Sequence, residues 1–144
     1  AYRAARALRF DRLRAPLGMP LGSERYAHEE DCLHGVLIDG DEQVVATLMF
    51  HPDGQGGGRI LQMVVRADRE RQGLGTRALR GMEAALVVRG VGRVHLHARS
   101  HALGFYARLG YEVEGEPFVE VGIPHRLMTR SLTPGAQSAG KEEI

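Results

Sequence analysis

Ile60-Leu61-Gln62-Met63-Val64-Val65-Arg66-Ala67-Asp68-Arg69-Glu70-Arg71-Gln72-Gly73-Leu74-Gly75-Thr76 is the stretch that decides the fold. Its apolar opening belongs to a strand from Arg59 to Val65, a charged turn follows, and a helix begins at the two glycines. The first amides of a helix have no partner within it, and the peptide dipoles put positive potential at that end. Gly73 and Gly75 remove side chains that would keep a ligand off those amides. The arrangement suits a phosphate group.

The helix is read from its spacing. Leu74, Ala78, Leu79, Met82, Ala85 and Leu86 recur at three- and four-residue intervals and form one buried stripe. Arg77, Arg80, Glu83 and Arg89 lie between them and face water. Gly81 costs a helix interior roughly 1 kcal/mol against alanine, which suggests close packing on a neighbour. Gly90 and Gly92 end the helix, and Arg93 to Ala98 is a short strand.

Glycine-rich turns of this kind serve several ligands. A nucleoside-triphosphate loop needs a lysine directly after its last glycine, and the chain's only lysine is Lys141. The dinucleotide fingerprint is met by Gly73, Gly75 and Ala78. It also wants an acid about 20 residues on to hold a ribose. That region here is Arg93-Val94-His95. A small dinucleotide-binding oxidoreductase is therefore the weaker reading.

Glu70-Arg71-Gln72-Gly73-Leu74-Gly75 after Met63-Val64-Val65 resembles the acyl-coenzyme A motif of the GNAT N-acyltransferases, Gln/Arg-x-x-Gly-x-Gly/Ala after a hydrophobic triplet. Glu70 departs from the usual Gln or Arg. Phe105-Tyr106-Ala107-Arg108-Leu109-Gly110-Tyr111 is similar to the family's Phe/Leu-Tyr-x-x-x-Gly-Phe/Tyr helix. The ending Gly115 to His125 resembles a subgroup of small acetyltransferase-like members. Together the matches cover residues 30 to 132. The resemblance implies an α/β fold, a mixed, mostly antiparallel sheet flanked by helices. A splayed parallel strand pair in it would form the acyl-coenzyme A cleft. It also implies one more strand before the first helix than this sequence contains.

Composition is that of an ordinary globule, 43% apolar and 26% charged. At 144 residues it fits one domain, here 1–132 with a flexible tail over 133–144. The longest apolar runs fall short of a membrane span, and the opening shows no signal-peptide pattern. With Cys32 as the single cysteine, these features give the expectation of a cytoplasmic protein. A net charge of +1 without interleaved aromatics argues against a nucleic-acid surface. Arg3, Arg6, Arg9, Arg12 and Arg14 read as a solvated helix face.

Working outward, Ala1 to Arg14 reads as a helix with Ala4, Ala5, Leu8, Phe10 and Leu13 inward, stopped by Pro16 and Gly18. A polar loop to Asp31 leads to a hairpin, Leu33 to Ile38 and Val44 to Phe50, around Asp39-Gly40-Asp41. His51 to Gly58 reads as a loop. His101 to Leu109 is a helix, and Tyr111 to Glu116 and Ile123 to Leu132 are the last strands.

By resemblance, the backbone of Met63, Val64 and Val65 would pair with the pantetheine arm. The amides of Arg71, Gln72, Gly73, Leu74, Gly75 and Thr76 would hold the pyrophosphate, and Arg99 is read as a cofactor contact or a loop cap. A strand amide near Val65 would stabilise the oxyanion, and Tyr106 would protonate the leaving thiolate. The strand from Arg59 to Val65 lacks the carboxylate base that some family members use. His95, His97 and His101 are open alternatives, and Glu116, Glu120 and His125 lie in the segment that borders the family's acceptor site. Tyr106, Glu120 and His125 are the catalytic candidates. The activity implied is acetyl transfer from acetyl-coenzyme A to a small-molecule or protein amine, without metal. A non-catalytic acyl-coenzyme A sensor is the rival within the fold, and the resemblance leaves room for a homodimer.

Overall fold

In the computed structural model, which describes residues 1–18 and 26–133, the elements alternate much as the spacing predicts. They are α1 (Tyr2–Arg9), β1 (Leu33–Ile38), β2 (Val44–Pro52), β3 (Gly57–Val65) and α2 (Leu74–Val88). Then come β4 (Arg93–Arg99), α3 (Leu103–Arg108), β5 (Glu112–Glu120) and β6 (Ile123–Ser131). The strands make one sheet in the order β1-β2-β3-β4-β6-β5. Gly57–Arg59 of β3 pairs parallel with Arg93–His95 of β4, whereas β1–β2, β4–β6 and β5–β6 are antiparallel. This is the expected α/β fold. Apart from Thr133, the expected tail over 133–144 lies outside the described residues.

Contacts divide the chain into two compact units, Ala1–His51 with Ile60–Glu83, and Pro52–Arg59 with Ala84–Ile144. In the first, β2 is buried on both faces from Val45 to Phe50, which explains a run that is apolar but for Thr47. β1, at the sheet's edge, alternates half-buried and exposed residues. A Cβ on Gly35 would stand 2.9 Å from Leu48 Cδ2 and 3.2 Å from Met82 Cε, so β1 packs closely here because Gly35 has no side chain. Gly81, expected to be the close-packed glycine, is exposed with open space around it.

Two burial expectations are corrected. Leu79, Met82 and Leu86 of the α2 stripe are buried, but Ala85 is exposed and Glu83 is fully buried. Glu83 lies four residues after Leu79 and three before Leu86, on the same side of the helix, and Arg80 donates to its carboxylate at 2.7 Å. The first helix likewise breaks its pattern. It is α-helical only over Tyr2–Arg9, continues as a π-turn over Phe10–Arg14, and closes in a 3-10 turn over Ala15–Leu17 capped by left-handed Gly18. Ala4 is exposed, and Arg9 is 1% exposed, not on a solvated face. Its guanidinium bonds Glu29 at 3.0 Å and Met49 Sδ at 2.9 Å.

In the second unit, Val94, Leu96 and Ala98 of β4 are buried while His95 and His97 share the other face. β3 begins earlier than expected because a Cβ on Gly57 would meet the Arg93 carbonyl at 2.7 Å, and glycine alone permits that approach. β5 does not stop at Glu116. A register shift between Glu114 and Phe118 absorbs Gly115-Glu116-Pro117, and the strand resumes to Glu120. Pro117 has no N–H to donate and is tolerated at such a bulge on an edge strand. The β5–β6 turn is Val121-Gly122, both left-handed at φ 46° and 74°, as a type I′ hairpin requires.

Candidate active site

The first unit carries the turn that is the candidate for anion binding. β3 ends at Val65, the Arg66 amide donates to the Val45 carbonyl at 2.8 Å, and a 3-10 turn over Ala67–Arg69 follows. Ion pairs fix this turn: Arg66 with Asp68 at 2.7 Å and Arg69 with Asp39 at 2.6 Å. Glu70, the residue that departs from the motif, pairs with Arg12 at 3.2 Å. Arg71 and Gly73 are left-handed at φ 65° and 75°. Such conformations turn successive amides into a concavity that accepts anions. Leu74 then opens α2, and Arg71, Gln72 and Gly73 are exposed.

One feature of β3 was not legible in the sequence. Gln62, directly before Met63-Val64-Val65, is left-handed at φ 50° within the strand. This is costly for a non-glycine residue. Its side-chain carbonyl Oε1 is buried with no hydrogen-bond partner among the described residues. Met63 and Val65 are half-buried and Val64 is buried.

The second unit carries the candidate acid–base groups. Tyr106 lies in α3, its ring edge-on to Phe105 at 5.0 Å and Tyr111 at 5.9 Å. Burial alone pushes its hydroxyl up to about 12. It is therefore protonated at neutral pH and can donate.

Glu120 and His125 meet at the β5–β6 hairpin, and His97 and Arg59 join them. His97 Nδ1 lies 2.9 Å from Glu120 Oε2, Arg59 Nη2 3.4 Å from Glu120 Oε1, and His125 Nε2 4.0 Å from the same oxygen. The carboxylate that β3 lacks in its own sequence thus comes to Arg59 from β5. Burial raises the Glu120 carboxyl, but the His97 hydrogen bond and the Arg59 charge outweigh it and hold it below the ordinary value. Phe118 sits edge-on to His97 at 5.0 Å and stacks on His125 at 5.9 Å. The remaining candidates are elsewhere: Glu116 is exposed in the β5 bulge, His101 is exposed ahead of α3, and Arg99 ends β4 opposite His125.

Known proteins show the same fold. The Bacillus subtilis (strain 168) protein YyaT is 33% identical over 102 residues, 64% of this chain and 69% of that protein. An acyl-CoA N-acyltransferase from Pseudomonas aeruginosa superposes with a TM-score of 0.74 at 26% identity, covering 90% of this chain and 89% of that one. An aminoglycoside 6'-N-acetyltransferase complexed with coenzyme A has a TM-score of 0.75 at 16% identity, over 92% and 91% of the two chains, a likeness of fold alone. The sequence pattern of the Acetyltransferase (GNAT) family matches residues 3–111. The chain belongs to the GNAT acetyltransferase family, whose reaction is acyl transfer from an acyl-coenzyme A to an amine.

Proposed function

We propose that this protein is a cytoplasmic N-acetyltransferase that moves the acetyl group of acetyl-coenzyme A directly onto an amine of a small molecule or protein. The observation that carries the reading is the exposed turn Arg71 to Gly73 leading into α2, with left-handed Arg71 and Gly73. In it the amides of Arg71 to Thr76 bind the pyrophosphate, the Arg71 side chain adds charge, and the backbone of Met63 to Val65 pairs with the pantetheine arm. Arg99 is the further cofactor contact. The amine attacks the thioester carbonyl, a strand amide near Val65 holds the oxyanion, and Tyr106 protonates the departing thiolate. Glu120 and His125 belong to the acceptor side. No metal enters the scheme. The protein acts as a monomer or homodimer, without nucleic acid or membrane; no described helix is long and apolar enough to cross one.

Coenzyme A and acetyl-coenzyme A raise the melting temperature, because a ligand that binds only the folded state stabilises it by mass action. NAD and ATP do much less. A larger shift with NAD sinks this reading in favour of the oxidoreductase. A second expectation concerns the turn itself. Gly73 has open space where a Cβ would stand, so Gly73→Val meets no packing obstacle. It instead forces a β-branched residue into the left-handed region and places bulk before the helix amides. Coenzyme affinity falls at least about tenfold, or roughly 1.4 kcal/mol. Unchanged affinity, measured calorimetrically on the folded variant, means that the phosphates lie elsewhere.

A further inference from the structure

We propose that His97 is the proton acceptor for the attacking amine and that Glu120 is the residue that positions it. The inference rests on the acetyltransferase reading above and gives it a named base. A carboxylate can only accept, so the 2.9 Å contact with Glu120 Oε2 puts the His97 proton on Nδ1. In the neutral ring this leaves the lone pair on Nε2, the arrangement a general base needs. His125 is oriented differently. Its Nδ1–H donates to the Ile123 carbonyl at 2.7 Å. Its Nε2 is aimed toward Glu120 Oε1, and the side chain is 4% exposed against 22% for His97. Of the two rings, His97 is the one a substrate can reach.

The groups around His97 come from four strands: Arg59 on β3, His95 on β4, Phe118 and Glu120 on β5, and His125 on β6. Burial lowers the proton affinity of His97, Glu120 raises it, and Arg59 and His125 lower it, with a net fall below the ordinary 6.5. His97 is thus neutral near pH 7 and ready to accept. Glu120 is the poorer base. Its carboxylate already accepts from His97 and Arg59 and is held below its ordinary value. The strained Val121-Gly122 turn follows Glu120 directly and fixes where the strand carrying it ends.

The substrate ammonium gives one proton to His97 Nε2 and becomes a free amine. Its nitrogen forms the C–N bond to the acetyl carbon, and the C–S bond breaks. The thiolate takes the Tyr106 hydroxyl proton. The new amide nitrogen loses its second proton to water, and Tyr106 and His97 exchange with solvent to their starting states. Ammonium and acetyl thioester become amide, thiol and one proton.

The test measures kcat/KM against pH by thiol release, with acetyl-coenzyme A and benzylamine, spermidine or lysine methyl ester as probe amines. The wild type shows an inflection below pH 6.5, since kcat/KM reports the groups of the free enzyme. His97→Gln loses that inflection and falls about 10²–10⁴-fold, the range for a positioned general base. Glu120→Gln keeps the inflection but moves it to lower pH, because the carboxylate that favoured imidazolium is gone. Each variant is required to keep the thermal shift with coenzyme A. An undiminished rate and inflection in His97→Gln overturns the proposal and leaves the acetyltransferase reading intact. So does an inflection lost only in Glu120→Gln, which makes Glu120 the base. Absence of thiol release by the wild type with all three amines overturns both. Nitrogen-15 shifts of the wild-type histidines test the geometry without catalysis: neutral His97 carries its proton on Nδ1, and a proton on Nε2 rejects the assignment.

Discussion

Tyr106→Phe lowers turnover about 10²–10⁴-fold, the usual range for a positioned general acid, while coenzyme affinity holds. Burial is the sole cause of the raised Tyr106 hydroxyl, and among the described residues no hydrogen bond is made to that oxygen. The ring packs on Phe105 and Tyr111 through its edges, which phenylalanine preserves. The substitution therefore removes one proton donor and little else. Loss of an interaction made only in the transition state appears in turnover, not in ground-state binding. A hydroxyl with a structural role gives the opposite pattern, about 1–3 kcal/mol of lost stability with activity per folded molecule retained. Turnover and chemical denaturation measured on one preparation separate the two. Full turnover with a lowered denaturation midpoint removes Tyr106 from the mechanism.

Glu29→Ala destabilises the fold by about 3–5 kcal/mol, because it strands a buried guanidinium. Arg9 is 1% exposed and Glu29 8%, so neither charge can turn to water without local unfolding. Tyr2 and the Tyr26 amide also donate to the same carboxylate. Burial raises the Glu29 carboxyl, but these three donors outweigh it and hold it below the ordinary 4.5. The sign of the pH dependence follows. A depressed folded value means stability fully present above the unfolded value and lost as pH falls through the folded one. The stability that Glu29 contributes is thus fully present above about pH 4.5 and is lost as pH falls below it, and Glu29→Gln removes that part of the acid sensitivity. Urea denaturation at pH 7 and pH 4 checks both points; a loss below 1 kcal/mol in Glu29→Ala at pH 7 contradicts the account.

Arg9 also shows where sequence reading ended. Five arginines in one short helix look like a solvated face, and the partner at Glu29, 20 residues on, turns one of them inward. Glu83 follows the same logic: it reads as surface by type, yet lies on the buried side of α2 with Arg80 beside it. Periodicity assigns positions to a face but cannot see which charges find partners there. The strands and α2 were legible because β2, β3 and β4 alternate or run apolar between glycine-rich breaks. The far end of β5 was not, because Gly115 and Pro117 are stop signals that a bulge absorbs.

The site divides along the same line. A turn of consecutive residues is visible as a motif, so Arg71 to Thr76 stand out as a candidate from the chain alone. The His97–Glu120–Arg59 cluster spans three strands, and its members become neighbours only through the sheet order. Gln62 carried no signal at all. Nothing in a Leu-Gln-Met triplet announces a left-handed residue within a strand.

The most direct measurement of the central claim is acetyl-coenzyme A turnover against a panel of primary amines, reading released thiol and the mass of the product. The account predicts thiol release above the rate of plain hydrolysis with at least one amine, matched by an equal amount of product heavier by one acetyl group. Saturable coenzyme binding with no acetylated product from any amine in the panel contradicts it and makes the protein a binder of the coenzyme.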